Sequence, residues 1–231
     1  MLQLEDLVLA QGDFRLQADL AVPGGGRVAV LGPSGGGKST LLAAIAGFIA
    51  PQRGRILWQG RDLAPLAPGA RPVSMLFQDG NLFPHLTIER NLVLALDPRG
   101  RLTPERRARI EAALARVGLA GFGPRRPSAL SGGQQSRAAL ARALLSERDL
   151  VLLDEPFAAL GPGLRAEMLD LVTEVLGAAG RTILMVTHAP DDALRLGDLA
   201  LVVDEGRAAA PTGVEALLRD PPPGLRNYLG H

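Results

Sequence analysis

The stretch Gly32-Pro33-Ser34-Gly35-Gly36-Gly37-Lys38-Ser39-Thr40 matches the pattern G-x-x-x-x-G-K-[ST] at every fixed position. Upstream, Val28–Leu31 is a continuous apolar run that predicts a buried strand. Downstream, Leu41–Phe48 predicts a helix. Between a strand and a helix, such glycines let backbone N–H groups turn inward around a phosphate, and the helix start adds its partial positive charge. Lys38 then reaches the β- and γ-phosphates, and the Ser39 hydroxyl is a ligand for Mg²⁺. Lys38 is also the only lysine among 25 Lys and Arg residues. Arginine serves as the general surface cation, and a compact ammonium is kept where a planar guanidinium would not fit against bridging phosphate oxygens.

Composition sets the outer limits. A chain of 231 residues makes one large domain or one domain with an inserted subdomain. Its residues are 47% hydrophobic and 3% aromatic, which predicts a Leu/Val/Ala core and argues against disorder. The net charge is +1 and no long basic cluster occurs, so no nucleic-acid partner is expected. The absence of cysteine excludes a disulfide framework, a thiolate metal site and a Cys nucleophile. Glu5, Asp6 and Asp13 do not fit a signal peptide, and apolar runs such as Leu41–Ala50 are too short to span a bilayer. The expectation is a soluble, cytoplasmic protein whose membrane role, if any, comes through a partner.

Along the chain, Phe14–Leu20 alternates apolar and polar residues as a half-buried antiparallel strand does. Ile56–Trp58 and Val73–Gln78 read as further strands. From Thr87 to about Leu145 the pattern turns helical. Thr103 with Pro104 starts one helix, and Ser131 caps another that runs to about Leu145. Leu150–Leu153 and Thr182–Val186 are continuous apolar strands of the parallel kind, separated by an amphipathic helix through Leu164, Met168, Leu171, Val172 and Val175. Residues 191–196 read as a short helix, and Leu199–Val203 with Arg207–Ala209 as a hairpin. Thr212-x-x-Glu215 reads as a capping box opening a last helix, and Pro221-Pro222-Pro223 is expected to end regular structure.

Two further stretches carry chemistry. Leu150–Asp154-Glu155 is an apolar strand ending in two carboxylates, the partner a phosphate loop requires. Asp154 is placed to hold Mg²⁺, and Glu155 to polarise the water that attacks the γ-phosphate. Leu130-Ser131-Gly132-Gly133-Gln134 opens a helix with a serine cap and two glycines, leaving N–H groups open to an anion. A second phosphate-binding helix start in a chain with one phosphate loop suggests that two copies sandwich nucleotide between them.

With these residues the sequence resembles the ATP-binding subunits of ABC transporters, over nearly the whole chain. The resemblance implies an α/β fold: a P-loop NTPase (RecA-like) core with an N-terminal antiparallel β-subdomain and a helical subdomain inserted at about 87–145, in a single cassette over 1–231. It implies ATP and Mg²⁺ as ligands and a catalytic set of Glu155, His188 and Gln78. Gly32–Thr40 and Ser131–Gln134 would bind nucleotide, and Ser39, Gln78 and Asp154 would hold the metal. Gln78 takes the position that couples the γ-phosphate to the membrane partner, and His188 takes that of a γ-phosphate contact. The implied partners are a second copy of the chain, permease subunits bound through residues at about 79–90 and, indirectly, a periplasmic solute-binding protein. The implied location is the cytoplasmic face of a bacterial membrane.

A closer resemblance lies in Arg71–Gln78, in Asn81-Leu82-Phe83 followed by His85-Leu86-Thr87, and in Asn91. These are similar to the ATPases of bacterial thiamine importers, which likewise lack the C-terminal regulatory domain of several other importers. Polyamine, iron(III) and sulfate-type importers are the alternative cargo classes. A soluble non-transport ABC ATPase or a slow regulatory nucleotide-binding module are the alternative roles. Two departures stand out. Leu9–Asp13 offers no aromatic to stack on adenine, Phe14 being only a neighbour, and Gly161 replaces an aspartate that helps join the two nucleotide sites.

Overall fold

The computed structural model describes residues 1–77 and 81–229. Gln78, expected at the site, and Asp79–Gly80 of the expected permease contact lie outside the described residues. In chain order the elements are β1 (Leu2–Gln11), β2 (Phe14–Val22), β3 (Arg27–Leu31), α1 (Lys38–Ala46), β4 (Arg53–Trp58), β5 (Arg61–Asp62), β6 (Val73–Leu76), α2 (Ile88–Leu96), α3 (Pro104–Arg116) and α4 (Gly132–Leu145). There follow β7 (Leu150–Asp154), α5 (Pro162–Val172), β8 (Thr182–Val186), α6 (Pro190–Leu196), β9 (Leu199–Asp204), β10 (Arg207–Ala208), β11 (Thr212–Gly213), α7 (Val214–Arg219) and α8 (Pro223–Leu229).

The strands join in the order β5-β4-β1-β2-β10-β9-β3-β8-β7-β6, with β11 on β9. β9, β3, β8, β7 and β6 run parallel, whereas β1, β2, β4 and β5 pair antiparallel. The P-loop NTPase core and the antiparallel N-terminal part therefore stand as expected. Their sequences differ for a physical reason. β2 has one face in the core and alternates between buried and exposed residues. β3, β7 and β8 are covered on both faces, so every position between their ends carries an apolar side chain.

The pleat sends neighbouring residues into two cores. Ala29, Leu31, Val151, Leu153, Ile183 and Met185 pack with the helices that follow β6, together with α5 and α6. Val28, Val30, Leu150, Leu152, Leu184 and Val186 pack with α1 and the antiparallel strands. The phosphate-loop helix thus lies between the parallel sheet and the N-terminal strands.

Between β6 and β7 the chain is helical. Thr87 and Thr103 cap α2 and α3 by accepting hydrogen bonds from the N–H groups of Arg90 and Arg106. Asn91 is fully buried at the start of this region. Its Oδ1 accepts from the Phe83 N–H at 2.6 Å, and its Nδ2 donates to the carbonyls of Phe83 and Thr87 at 3.1 and 3.0 Å. One amide side chain thereby shapes the loop ahead of α2. A buried amide left without these partners costs about 1–3 kcal/mol, so the loop conformation is strongly specified.

Two expectations are corrected. Thr212 does not cap the last helix by a Thr-Glu box. It pairs with Ala200 in β11, and Gly213 becomes the N-cap of α7 with no side-chain bond. Strand pairing of its backbone removes Thr212 from the cap position. Nor do Pro221–Pro223 end regular structure, because α8 begins at Pro223. Proline is compatible with the first helical turn, where its missing N–H has no intrahelical role.

Candidate functional site

The strand register assembles the site. Val30 lies opposite Val186, and Asp154 opposite Val186, so β3, β7 and β8 end level with one another. The residues that follow these strands meet at the carboxyl edge of the parallel sheet, where such folds place ligands.

The phosphate loop leaves β3 at Gly32. A Cβ at Gly32 would stand 2.0 Å from the Val203 carbonyl oxygen, at φ +141, so only glycine fits. Gly37 has φ +103, and a Cβ there would stand 2.6 Å from Cζ of Phe14. Lys38 opens α1 and is 5% exposed. Its Nζ donates to the carbonyls of Gly32 and Pro33, each at 2.8 Å, and so curls the loop around the ammonium. Burial pushes its pKa below the usual lysine range, opposed by the charges of Glu155 and Asp154. The N-cap of α1 is Gly37, left-handed and with no side-chain cap. The first N–H groups of the helix are thus left to a ligand.

Asp154 ends β7, and its Oδ1 accepts from Oγ of Ser39 at 2.9 Å. Burial raises its carboxyl above the ordinary range, the Ser39 hydrogen bond opposes this, and the neighbouring Glu155 charge adds to it. A hydroxyl and a carboxylate side by side are hard oxygen donors and suit Mg²⁺. No group of three or more His, Cys, Asp and Glu able to hold a metal occurs among the described residues. Glu155, at φ +47, hydrogen-bonds through Oε1 to Nε2 of His188. Its carboxylate and the His188 ring both border the cleft.

That cleft, of about 340 Å³, is lined by Ser34, Gly35, Gly37, Lys38, Ser39, Thr40, Glu155 and His188, with Gln11 and Phe14. It joins the loop, the strand-end glutamate and the histidine into one site. Ser131, Gly132, Gly133 and Gln134 do not line it. They form a capping box at the start of α4, in which the Ser131 N–H donates to Oε1 of Gln134 at 3.0 Å and the Gln134 N–H donates to Oγ of Ser131 at 3.3 Å. Phe14 is more than a sequence neighbour of the site. The β1–β2 register sets Gln11 opposite Phe14 at the turn, and this turn borders the cleft. The signal was its place one residue past Gly12-Asp13, at the first position of β2.

A protein-family model described as ABC transporter matches residues 16–158. The chain belongs to the ABC transporter family. Among curated proteins, the Thiamine import ATP-binding protein ThiQ of Cereibacter sphaeroides is 63% identical over 230 residues, covering 100% of both chains. The protein of the same name from Ruegeria is 56% identical over the same share of each chain. The one from Brucella suis is 49% identical over 99% of this chain and 95% of its own. Among solved structures, the ATP-binding cassette MJ0796, as a dimer in a post-hydrolysis state bound to ADP and Pi, superposes with a TM-score of 0.79 at 28% identity. The match covers 93% of this chain and 99% of that one. The cassette fold is therefore shown by sequence and by structure alike. Among the described residues no helix is long and apolar enough to cross a membrane.

Proposed function

We propose that this cassette is the ATP-hydrolysing subunit of an importer that takes up thiamine or thiamine phosphates through a membrane permease. The single observation that carries the cargo assignment is full-length similarity, up to 63% identity, to proteins named for thiamine import. The chemistry rests on the cleft. The phosphate loop with Lys38 would cradle the β- and γ-phosphates, and Ser39 with Asp154, already hydrogen-bonded to each other, would hold Mg²⁺. The ion, when bound, neutralises charge on the phosphate oxygens. Glu155 orients a water for in-line attack on the γ-phosphorus and takes its proton as the bond to the β-phosphate oxygen breaks. The reaction consumes ATP and water and yields ADP and phosphate. His188 holds the Glu155 carboxylate by a direct hydrogen bond, and as a cleft residue it would contact the γ-phosphate. By the family resemblance, Gln78 would add a metal and γ-phosphate contact.

Two copies complete the two sites, each offering Ser131-Gly132-Gly133 to the nucleotide on the other's loop. The dimeric state of the MJ0796 cassette supports this reading. The permease docks on residues at about 79–90, where Phe83 stands 46% exposed on the loop that Asn91 holds. The assembly sits on the cytoplasmic face of the cell membrane, and the solute-binding protein meets the permease from the other side.

Glu155→Gln tests the chemistry. The variant should bind ATP, accumulate as a dimer and lose about 100-fold or more of kcat. Hydrolysis at the wild-type rate would remove Glu155 from its role. Cargo is tested by deleting the gene and measuring uptake of labelled thiamine. Undiminished uptake would sink the thiamine assignment and leave the ATPase untouched.

A further inference from the structure

The structure assigns a positioning role to Arg165, with Asp192 as its partner. Together they tie the segment that carries Glu155 to the segment that carries His188. The inference rests on the ATP-hydrolysing reading above.

Glu155 and His188 lie just beyond the ends of β7 and β8, where the strand ladder stops at Asp154 opposite Val186. One more backbone bond, from the Glu155 N–H to the Val186 carbonyl at 3.2 Å, carries the pairing past the strands. Glu155 has φ +47, which is uncommon for a residue with a side chain. Packing does not close around it on every side. A cavity of about 100 Å³ lies against this segment, bordered by Glu155, Phe157, Arg165, Thr187, His188 and Asp192.

The restraint on that side is polar. Arg165, in the first turns of α5, donates from Nε to the Phe157 carbonyl at 3.3 Å and from Nη2 to the Ala158 carbonyl at 3.1 Å. Its Nη1 stands 3.9 Å from Oδ2 of Asp192 in α6. The same Oδ2 accepts from the Thr187 hydroxyl at 2.6 Å. Thr187 directly precedes His188, and its Oγ1 accepts from the Ala189 N–H at 3.1 Å on the other side of that histidine. One guanidinium thus spans from the backbone just after Glu155 to the carboxylate that holds the Thr187 hydroxyl beside His188. A lysine carries its three donors on one nitrogen and cannot bond two carbonyls and face the carboxylate from a planar fork as this guanidinium does.

Arg165 and Asp192 do not border the nucleotide cleft, and of the groups assigned to phosphate only His188 lies on the segments they tie, whereas Lys38 and its loop are held by their own hydrogen bonds. Loosening the link therefore lets the base drift from the attacking water, while ATP binding, carried mainly by the Lys38 loop, changes little. A misplacement of about 1 Å at a reacting group costs up to about 100-fold in rate.

The experiment uses the full chain, at concentrations that dimerise it, as wild type, Arg165→Ala, Arg165→Lys, Asp192→Asn and the double variant Arg165→Ala/Asp192→Asn. Readouts are kcat, KM for ATP, affinity for a fluorescent ATP analogue and Tm. Arg165→Ala should lower kcat by about tenfold or more with KM within about twofold. Arg165→Lys should recover only part of the loss, and the double variant should be no slower than Arg165→Ala alone, because both changes cut one link. The near-isosteric Asp192→Asn and Arg165→Lys carry the test if Arg165→Ala fails to fold. Wild-type kcat in every Arg165 variant overturns the inference. So does a kcat loss matched by loss of analogue affinity and of Tm, which would mark a merely structural residue. Wild type and Glu155→Gln are the controls. A wild-type chain that does not hydrolyse ATP, or a Glu155→Gln chain that hydrolyses at full rate, sinks the functional reading itself. With both controls as expected, the Arg165 results bear on this inference alone.

Discussion

Two helices of this molecule begin beside glycines, and they begin in different ways. α1 follows Gly37, a left-handed residue with no side chain to cap the helix. α4 follows Ser131, which closes a reciprocal capping box with Gln134. The α1 start leaves its donors open and draws the one lysine into its own loop, so a phosphate can enter without breaking an existing cap. The α4 start spends two donors on itself, and only the amides of Gly132 and Gly133 remain for a ligand. Glycine content alone does not make two helix ends equivalent anion sites. What differs is whether the chain already satisfies them. A third start marks the other extreme, since α5 follows Gly161 with no side-chain cap and no neighbour within 4 Å of where a Cβ would stand.

The contrast can be probed at each start. The largest effect is expected for Lys38→Ala, because the buried ammonium is the charge the open loop is built around. Removing it should weaken ATP binding by about 2 kcal/mol or more, roughly 30-fold, in a titration with a fluorescent analogue. Gly37→Ala comes next. Its Cβ meets Phe14 and its φ is left-handed, so the chain should lose about 1–2 kcal/mol of stability in urea unfolding and bind ATP more weakly. Ser131→Ala should cost about 1 kcal/mol of stability through the lost cap. Nucleotide affinity of the single chain should not change, while dimer-dependent hydrolysis falls. Loss of affinity in the isolated chain would mean that α4 serves the site of its own chain. The smallest effect is expected for Gly161→Asp, where a new N-cap acceptor should add a few tenths of a kcal/mol to stability. A rise in hydrolysis by the dimer would show that this position also joins the two nucleotide sites, and an unchanged rate would show that it does not.

Much of this site could be read without coordinates because its chemistry is local. Gly32–Thr40, Asp154-Glu155 and Ser131–Gln134 each carry their meaning within a few residues, and the apolar runs of β3, β7 and β8 mark a sheet covered on both faces. Local patterns failed where partners were distant. Thr212 was matched to Glu215 by spacing, yet its backbone is used by Ala200 in a strand pair. Phe14 looked peripheral because its contact with Gly37 depends on how the β1–β2 turn folds over the phosphate loop. Arg165 and Asp192 carried no signal, since single charged residues near the start of two helices are ordinary surface features until the helices pack side by side.

The sequence by itself determined the chemical vocabulary of this protein: a loop shaped for phosphate, a hydroxyl and a carboxylate suited to Mg²⁺, a candidate base, and a capped helix start with two glycines. It could do so because backbone conformation at glycine, helix capping and strand burial are set by neighbours along the chain. Which of these groups face one cleft was decided by the register that brings Val30, Asp154 and Val186 level across a parallel sheet. The same packing left Ser131 outside the cleft and set Arg165 between the glutamate and histidine segments. Such juxtapositions join residues far apart in sequence, and they follow from how whole strands and helices bury their apolar faces together.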